Sequence, residues 1–146
     1  MKLLIDGDGC PVVDITVRLA GKHGVRCVIY CDTSHRMEKD GAETVTVSRG
    51  ADSADFALVN AALQGDVAVT QDYGLAAMCL AKGVRTLNQD GRRYTADNIG
   101  GLLEERHVSR KVRRGGGRLK GPPKREPQQD KAFEAALEEL LSEDGG

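Results

Sequence analysis

The sequence has no tryptophan, three tyrosines and two phenylalanines among 146 residues, so alanine, valine and leucine must fill most of a core. A chain of this length is large enough to bury one. Long apolar runs are also missing: the first, residues 3–5, is too short for a secretion signal, and none is long enough to span a membrane. We therefore expect a cytoplasmic protein with no membrane contact.

Cysteines are few, and none of the four is spaced as C-x-x-C, which argues against a zinc ribbon or a dithiol site. Cys27, Cys31 and Cys79 lie in apolar stretches and are predicted to be buried thiols. Cys10 precedes Pro11 at a predicted helix start, where a thiolate would be stabilised. No histidine is placed to act as its base, so a small, partly buried thiol is the favoured interpretation.

Charge is unevenly distributed although the formal net charge is only -1. Residues 106–125 hold nine Lys or Arg and no Asp or Glu, whereas residues 1–105 carry a net charge of -4. A basic segment of this kind suits contact with the RNA backbone, and without aromatics it should not read base sequence. The alternative is a solvated tail. The candidate phosphate contacts are Arg110, Lys111, Arg113, Arg114, Arg118 and Lys120.

Apolar runs alternate with helical patterns along most of the chain. Strands are predicted at 2–6, 25–31, 43–48, 66–71 and 84–87, and helices at 11–23, 52–64, 73–83, 95–107 and 130–141. Strands joined by helices pair in parallel, so we predict a three-layer, doubly wound, mostly parallel α/β fold of strand order about 3-2-1-4-5. The polar–apolar alternation of 43–48 predicts an edge strand.

Three segments make up the predicted organisation. Residues 1–108 form the α/β domain, 109–129 form a basic segment rich in glycine and proline, and 130–146 contain a C-terminal amphipathic helix. Asp130 is the predicted cap of that helix. Its apolar stripe is predicted to dock on the same domain or on a second subunit, and consists of Phe133, Leu137, Leu140 and Leu141.

Carboxylates follow the first and fourth predicted strands. Asp6 and Asp8 end the first strand, and Asp72 follows the fourth. These strands are neighbours where the strand order reverses, which is where open α/β sheets bind ligands. Asp52 and Asp55, near the start of the preceding helix, would enter the same cleft. Converging carboxylates repel each other unless they share a cation, and Mg²⁺ or Mn²⁺ suits such oxygen ligands.

Structural roles compete with metal binding at each position. In the structural alternatives, Asp6 ends the first strand and caps the helix predicted at 11–23, and Asp8 satisfies the glycine turn. Asp72 alone is more typical of a helix N-cap. Asp52 and Asp55 have the spacing of a capping pair. The loop after the second strand offers further cleft-lining candidates or an ordinary polar loop: Thr33, Ser34, His35 and Arg36.

Taken together, several stretches resemble the YaiI/YqxD family of small bacterial proteins, which is largely uncharacterised. The resemblance covers nearly the whole chain and depends on "DGDGCPV", "ADFALVNAALQGDVAVTQDYGLAAMCLAKG", "YTADNIGGLL", "RRGGGRLKGP" and "DKAFEAALEELL". The family is grouped with PIN-like domains. The resemblance therefore implies a PIN-like fold and, by analogy, metal-dependent nuclease chemistry on RNA.

The resemblance also implies roles for individual residues. Asp6 matches the Asp that ends the first strand of PIN-type nucleases, Asp72 matches the Asp after the fourth, and Asp55 best matches the acidic position on a central helix. Asp52 is the next match for that helix, and Asp8 is an additional member. The sequence departs from the family pattern at Gly7 and Gly9, where alanines are expected, and glycine should loosen the turn.

Two rival functions remain open. In a haloacid-dehalogenase-like phosphatase, Asp6 would be the nucleophile, Asp8 the acid/base, and Thr33 or Ser34 would follow the second strand. In a non-catalytic RNA- or protein-binding domain, the basic segment would make the contacts and the cleft would be vestigial.

Overall fold

A computed structural model describes residues 1–8, 10–32, 38–47, 53–104 and 124–143. Six strands form one sheet of order β3-β2-β1-β4-β5-β6. The strands are β1 (Lys2–Asp6), β2 (Arg26–Asp32), β3 (Glu43–Val47), β4 (Val67–Val69), β5 (Arg85–Leu87) and β6 (Arg93–Tyr94). The predicted strand order and the edge position of β3 are confirmed. The sheet is parallel except for β6, which pairs antiparallel with β5 and was not predicted.

Helices cover both faces of the sheet. They are α1 (Val13–Lys22), α2 (Ser53–Ala61), α3 (Tyr73–Ala81), α4 (residues 96–104) and α5 (Pro127–Glu143). Alternate residues of each buried strand point to opposite faces. Leu3 and Ile5 of β1 pack with α1 and α5, whereas Leu4 packs with α2 and α3. One apolar core therefore lies on each face of the sheet, and the sheet with the helices on its two faces makes three layers.

Helix α5 lies against the first of these cores. Phe133, Leu137, Leu140 and Leu141 are all buried there. The predicted cap at Asp130 is wrong, because the helix begins at Pro127 and Asp130 lies in its first turn. Proline is well suited to the first helical position, and the Gln129 side chain accepts from the Glu126 backbone N–H at 2.7 Å, as in a capping box.

Helix α1 also starts later than predicted, at Val13 rather than at Pro11. Val12 is its N-cap and makes no side-chain capping hydrogen bond, so Asp6 is not the cap of this helix. Among the described residues, no helix combines the length and the apolar character that a membrane crossing requires.

Candidate acidic site at the carboxyl end of the sheet

Asp6 ends β1 and lies beside two other carboxylates. Burial raises the pKa of Asp6 to about 6, and the negative charges of Asp8 and Asp72 add to the effect, while a hydrogen bond from Thr70 acts against it. Asp8 comes from the loop after β1 and Asp72 from the segment after β4. Asp72 is 66 residues from Asp6 in sequence, and its charge nevertheless acts on Asp6. Asp8 and Asp72 thus each lie within electrostatic range of Asp6, and the convergence of the three on one metal stays a prediction.

Thr70 connects Asp6 to the segment that carries Asp72. Its hydroxyl Oγ1 donates to Asp6 Oδ2 at 2.7 Å and accepts from the Asp72 backbone N–H at 3.0 Å. The residue is 1% exposed, and its carbonyl accepts from the Tyr94 hydroxyl at 3.1 Å. One buried hydroxyl thus fixes the orientation of the Asp6 carboxylate relative to the end of β4.

Asp72 also has the structural role that its position suggested. It is the N-cap of α3, and its Oδ1 accepts from the Leu75 backbone N–H at 3.0 Å. A carboxylate at a helix N-terminus is stabilised by the helix dipole. Capping fixes the side chain at the edge where Asp6 lies, so the structural role and a ligand role are compatible.

Asp8 lies over the end of β2. Its Oδ1 accepts from the Asp32 backbone N–H at 3.3 Å, and the adjacent Gly7 N–H donates to the Tyr30 carbonyl at 2.8 Å. A Cβ atom at residue 7 would lie 2.8 Å from Ile29 Cγ2. Glycine therefore does more than loosen the turn: it lets the loop pack closely on β2.

Asp55 lies in the first turn of α2, on the same side of the sheet. Its charge acts on the buried thiol of Cys79, as does that of Asp6. Burial raises the pKa of Cys79 to about 11, Lys82 lowers it, and the charges of Asp55 and Asp6 both raise it. Asp55 and Asp6 therefore both lie within electrostatic range of Cys79.

Cys10 lies near the same edge, but the structure does not support a thiolate. Burial raises the pKa of its thiol to about 11; a backbone hydrogen bond from Val12 lowers it, Asp6 raises it and Arg125 lowers it. A thiol with this pKa stays protonated at neutral pH and is a poor nucleophile. The interpretation of Cys10 as a partly buried thiol holds.

Several predicted site residues lie outside the described part of the chain. These are Asp52, the cleft-lining candidates Thr33, Ser34, His35 and Arg36, and the basic candidates Arg110, Lys111, Arg113, Arg114, Arg118 and Lys120. Their assignments remain predictions.

The donor chemistry of the acidic edge suits a hard divalent cation. Carboxylate oxygens are the ligands that Mg²⁺ and Mn²⁺ prefer, and a bound cation would relieve the repulsion that Asp8 and Asp72 exert on Asp6. As the side chains are placed, however, the described residues contain no group of three or more His, Cys, Asp or Glu able to hold a metal. Each carboxylate is instead engaged by a protein donor, namely Thr70, Asp32 or Leu75.

Two residues of this edge were not predicted. Thr70 is the first polar residue after the apolar run of β4, and Asp32 is the last residue of β2, immediately before the predicted cleft-lining loop. The sequence contains a signal for both residues, because each is polar and follows or ends a buried strand. A polar residue at the carboxyl end of a buried parallel strand lies at the ligand-binding edge of the sheet by construction.

Comparison with known proteins gives one family. The profile described as "Uncharacterized BCR, YaiI/YqxD family" matches residues 4–143. A UPF0178 protein from Exiguobacterium sibiricum is 50% identical over 143 residues, covering 98% of each chain. A UPF0178 protein from Ruminiclostridium cellulolyticum is 46% identical, covering 94% of this chain and 90% of the other, and one from Enterococcus faecalis is 44% identical, covering 97% of each.

Among solved structures, similarity extends to Rae1 (YacP) from Bacillus subtilis. The W164L mutant of that protein is 14% identical, with 99% of each chain covered and a TM-score of 0.47. A second Rae1 structure gives 16% identity and a TM-score of 0.44, covering 99% of this chain and 92% of the other. Similarity at this level carries no functional information.

Proposed function

This chain belongs to the YaiI/YqxD family, and we propose that it is a metal-dependent nuclease that hydrolyses phosphodiester bonds in RNA. The observation that carries the proposal is the acidic edge, where the buried Thr70 hydroxyl donates to Asp6 at 2.7 Å and accepts from the Asp72 backbone N–H at 3.0 Å, which joins carboxylates from two neighbouring strand ends. The resemblance to PIN-like domains supports the same chemistry, because PIN-type nucleases use an Asp after the first strand and another after the fourth.

In this proposal Asp6, Asp55 and Asp72 hold Mg²⁺ or Mn²⁺, and Asp8 and Asp52 act as secondary ligands or position water. A cation held by carboxylates supplies a water of lowered pKa and stabilises charge on a phosphoryl group during in-line displacement. The chain's own contribution is orientation. Thr70 fixes Asp6 by its hydrogen bond of 2.7 Å, and the α3 N-terminus fixes Asp72.

The basic segment is the proposed contact for the RNA backbone. Arg113 and Arg114 are the proposed primary phosphate contacts, supported by Arg110, Lys111, Arg118 and Lys120. The test is the salt dependence of binding to single-stranded RNA, measured by fluorescence anisotropy for the wild type and a variant carrying Arg113→Gln and Arg114→Gln. Loss of two phosphate contacts should reduce the slope of log K against log salt by about 1.4. An unchanged slope would remove these two residues from the interface.

The decisive experiment is calorimetric titration of Mn²⁺ into metal-free protein, followed by an RNA cleavage assay on the same samples. The wild type is compared with Asp6→Asn and Asp72→Asn, and with Asp97→Asn as a matched control, because Asp97 is an exposed carboxylate on α4. We expect saturable binding and cleavage in the wild type and the control, and loss of both in the other two variants. Binding that survives both substitutions would refute a shared metal site.

The same samples distinguish the rival functions. RNA binding without cleavage in any metal, unaffected by the Asp substitutions, would indicate a non-catalytic RNA-binding domain. Binding of beryllofluoride, an analogue of an aspartyl phosphate, would instead indicate a haloacid-dehalogenase-like phosphatase with Asp6 as nucleophile.

A further inference from the structure

Tyr73 is a partly exposed aromatic residue beside the acidic edge. Three of the five aromatic residues of the chain are buried, namely Tyr30, Tyr94 and Phe133. Of the other two, Phe56 is exposed on α2, and Tyr73 begins α3 directly after Asp72. Tyr73 therefore brings an aromatic ring to the chain segment that carries one of the carboxylates of the acidic edge.

Tyr73 is held by a buried neighbour that is itself connected to the acidic edge. Its ring meets that of Tyr94 edge to face, with the ring centroids 6.1 Å apart and the planes at 69°. The Tyr94 hydroxyl donates to the Thr70 carbonyl at 3.1 Å, and the Thr70 hydroxyl donates to Asp6 at 2.7 Å. In an edge-to-face pair, neither ring covers both faces of the other. Tyr73 is thus fixed in place while at least one face of its ring is not covered by Tyr94.

Arg92 brings a positive charge to the same end of the sheet. Strand β5 is parallel to β4 and antiparallel to β6, so the turn between β5 and β6 lies at the carboxyl end of β5. Asn88 fixes this turn, because its Oδ1 accepts from the Arg92 N–H at 2.8 Å and its own N–H donates to the Arg92 carbonyl at 2.9 Å. Neighbouring strands lie about 5 Å apart, which puts the start of β6 about 10 Å from the end of β4.

The Arg92 side chain is not used to hold the helices on the sheet. The neighbouring Arg93 pairs with a glutamate of α5 at 2.9 Å, whereas Arg92 is exposed and forms no ion pair with any carboxylate that the structure describes. Burial raises the pKa of the Tyr94 hydroxyl, as do Tyr73 and Asp72. Arg92 acts on the same hydroxyl and lowers that pKa. Tyr73, Asp72 and Arg92 therefore all lie within electrostatic range of one buried group.

We propose that Tyr73 and Arg92 form a nucleotide subsite beside the acidic edge, in which the Tyr73 ring stacks on a base of single-stranded RNA and Arg92 binds a neighbouring phosphate. The subsite rests on the proposed function for its ligand, RNA. An aromatic ring beside a cation is the combination by which proteins bind single strands, and stacking tolerates any base. The guanidinium donates to phosphate oxygens and offsets the negative charge of the nearby carboxylates.

This arrangement selects unpaired nucleotides rather than a base sequence. A base inside a duplex is already stacked on its neighbours, so only a base in a single strand, a loop or a bulge can reach the Tyr73 ring. The subsite therefore narrows the proposed substrate to single-stranded segments of RNA.

The test of stacking is fluorescence anisotropy with a labelled oligouridylate and with an abasic oligomer of the same length, in metal-free buffer so that no cleavage occurs. The wild type should prefer the oligouridylate. We expect Tyr73→Leu to bind the oligouridylate about ten-fold more weakly at every salt concentration, the loss of one stacked base, and to bind the abasic oligomer like the wild type. Tyr73→Phe keeps the ring and should bind like the wild type. Circular dichroism verifies folding.

The test of the phosphate contact is the salt dependence of the same binding. Arg92→Gln should reduce the slope of log K against log salt by about 0.7, the loss of one phosphate contact in a single strand. Arg18→Gln is the matched control, because Arg18 is 58% exposed, lies on α1 across the sheet from α3, and makes only an exposed ion pair. Its slope should equal that of the wild type.

Three results would each overturn the subsite. They are a wild type that binds no single-stranded RNA or does not prefer the oligouridylate, a Tyr73→Leu variant that binds it like the wild type or loses affinity equally for both oligomers, and a wild-type slope in Arg92→Gln. The proposed nuclease is decided separately, by Mn²⁺ binding and RNA cleavage. RNA binding that depends on Tyr73 and Arg92 in a protein that binds no Mn²⁺ would refute the nuclease and leave the subsite.

Discussion

Asp66 and Asp6 lie at opposite ends of adjacent strands and show how differently one fold treats two carboxylates. Asp66, just before β4, accepts from the Lys2 backbone at 2.9 Å, from Lys2 Nζ at 2.6 Å and from the Leu63 backbone at 2.9 Å. Burial raises its pKa, but these hydrogen bonds outweigh burial and the net pKa lies below the usual value. At this end of the sheet the fold neutralises a buried charge.

Asp6, at the end of β1, has the opposite surroundings. Its pKa is raised to about 6 because burial and the charges of Asp8 and Asp72 together exceed the hydrogen bonds that favour ionisation. Asp66 forms an ion pair with the Lys2 ammonium, whereas Asp6 lies near the negative charges of Asp8 and Asp72. Carboxylates with a raised pKa are typical of functional sites, where the arrangement that a reaction needs lowers the stability of the fold. The two ends of the sheet thus separate a stabilising carboxylate from a candidate functional one.

The largest expected effect is that of Asp66→Asn. The amide nitrogen would face either the Lys2 backbone N–H or both Lys2 Nζ and the Leu63 N–H, so at least one donor loses its acceptor and the ion pair is lost. We expect the free energy of unfolding at pH 7 to fall by about 3 kcal/mol, the low end for breaking a buried pair, since Lys2 can reach solvent. Urea denaturation measures the change, with Asp97→Asn as the exposed control. A loss no larger than the control's would mean that Asp66 is not a stabilising carboxylate.

The stability lost on Asp66→Asn should become smaller as the pH falls. The folded-state pKa of Asp66 lies below the unfolded value, so its stabilisation is present above about pH 4 and is lost as the pH falls through the folded-state pKa. The difference between wild type and Asp66→Asn should therefore narrow below pH 4.

The next effect has the opposite sign: Asp6→Asn should stabilise the protein. The variant removes a charge that the folded state disfavours, and a rise in pKa from 3.8 to about 6 corresponds to a gain of at most about 3 kcal/mol at pH 8. Chemical denaturation at pH 8 measures it. A destabilised Asp6→Asn would show that the Thr70 hydrogen bond, rather than repulsion, dominates this position.

The stability gained by Asp6→Asn should depend on pH in the opposite sense to the stability lost by Asp66→Asn. Because the folded-state pKa of Asp6 is raised, the wild type gains stability as the pH falls through about 6, and the gain is complete below about pH 4. The advantage of Asp6→Asn should therefore be full above pH 7 and absent below pH 4.

The sequence predicts the position of Asp6 at the carboxyl end of the sheet, but it does not predict every element around it. The alternation of strands and helices predicted the strand order, and the order placed Asp6, Asp8 and Asp72 at one edge. Strand β6 was missed because two residues, Arg93 and Tyr94, carry no periodicity.

Individual contacts proved harder to predict than the fold. The Lys2–Asp66 pair joins residues 64 apart, and no local pattern encodes it. Thr70 is a single hydroxyl whose two hydrogen bonds depend on the register between β1 and β4, which pairs Ile5 with Val69. Topology could be inferred from hydrophobic periodicity, but side-chain partners across strands depend on the register between strands that are far apart in sequence.

Thr70→Val should have a smaller effect, which changes both the stability of the protein and the pKa of Asp6. Valine keeps the shape of threonine, but the Asp72 N–H loses its acceptor and Asp6 loses its donor, which should cost about 1.5 kcal/mol. The pKa of Asp6, followed by NMR of its carboxyl carbon, should rise above about 6. Thr70→Ser retains the hydroxyl and should leave that pKa near its wild-type value. If valine and serine give the same pKa, the hydroxyl does not control Asp6.

The smallest expected effect separates the two roles of Asp72. Asparagine caps helices as well as aspartate does, so Asp72→Asn should keep the bond from the Leu75 N–H and change stability by no more than about 0.5 kcal/mol, whereas Asp72→Ala should lose about 1 kcal/mol. If Asp72 is only a cap, Asp72→Asn is neutral in every assay. If it also belongs to a charged site, Asp72→Asn is neutral in urea denaturation and yet lowers the pKa of Asp6, since a carboxylate that raises that pKa has been removed. An NMR titration that gives the wild-type pKa for Asp6 in Asp72→Asn would reduce Asp72 to a helix cap and the acidic edge to Asp6 and Asp8.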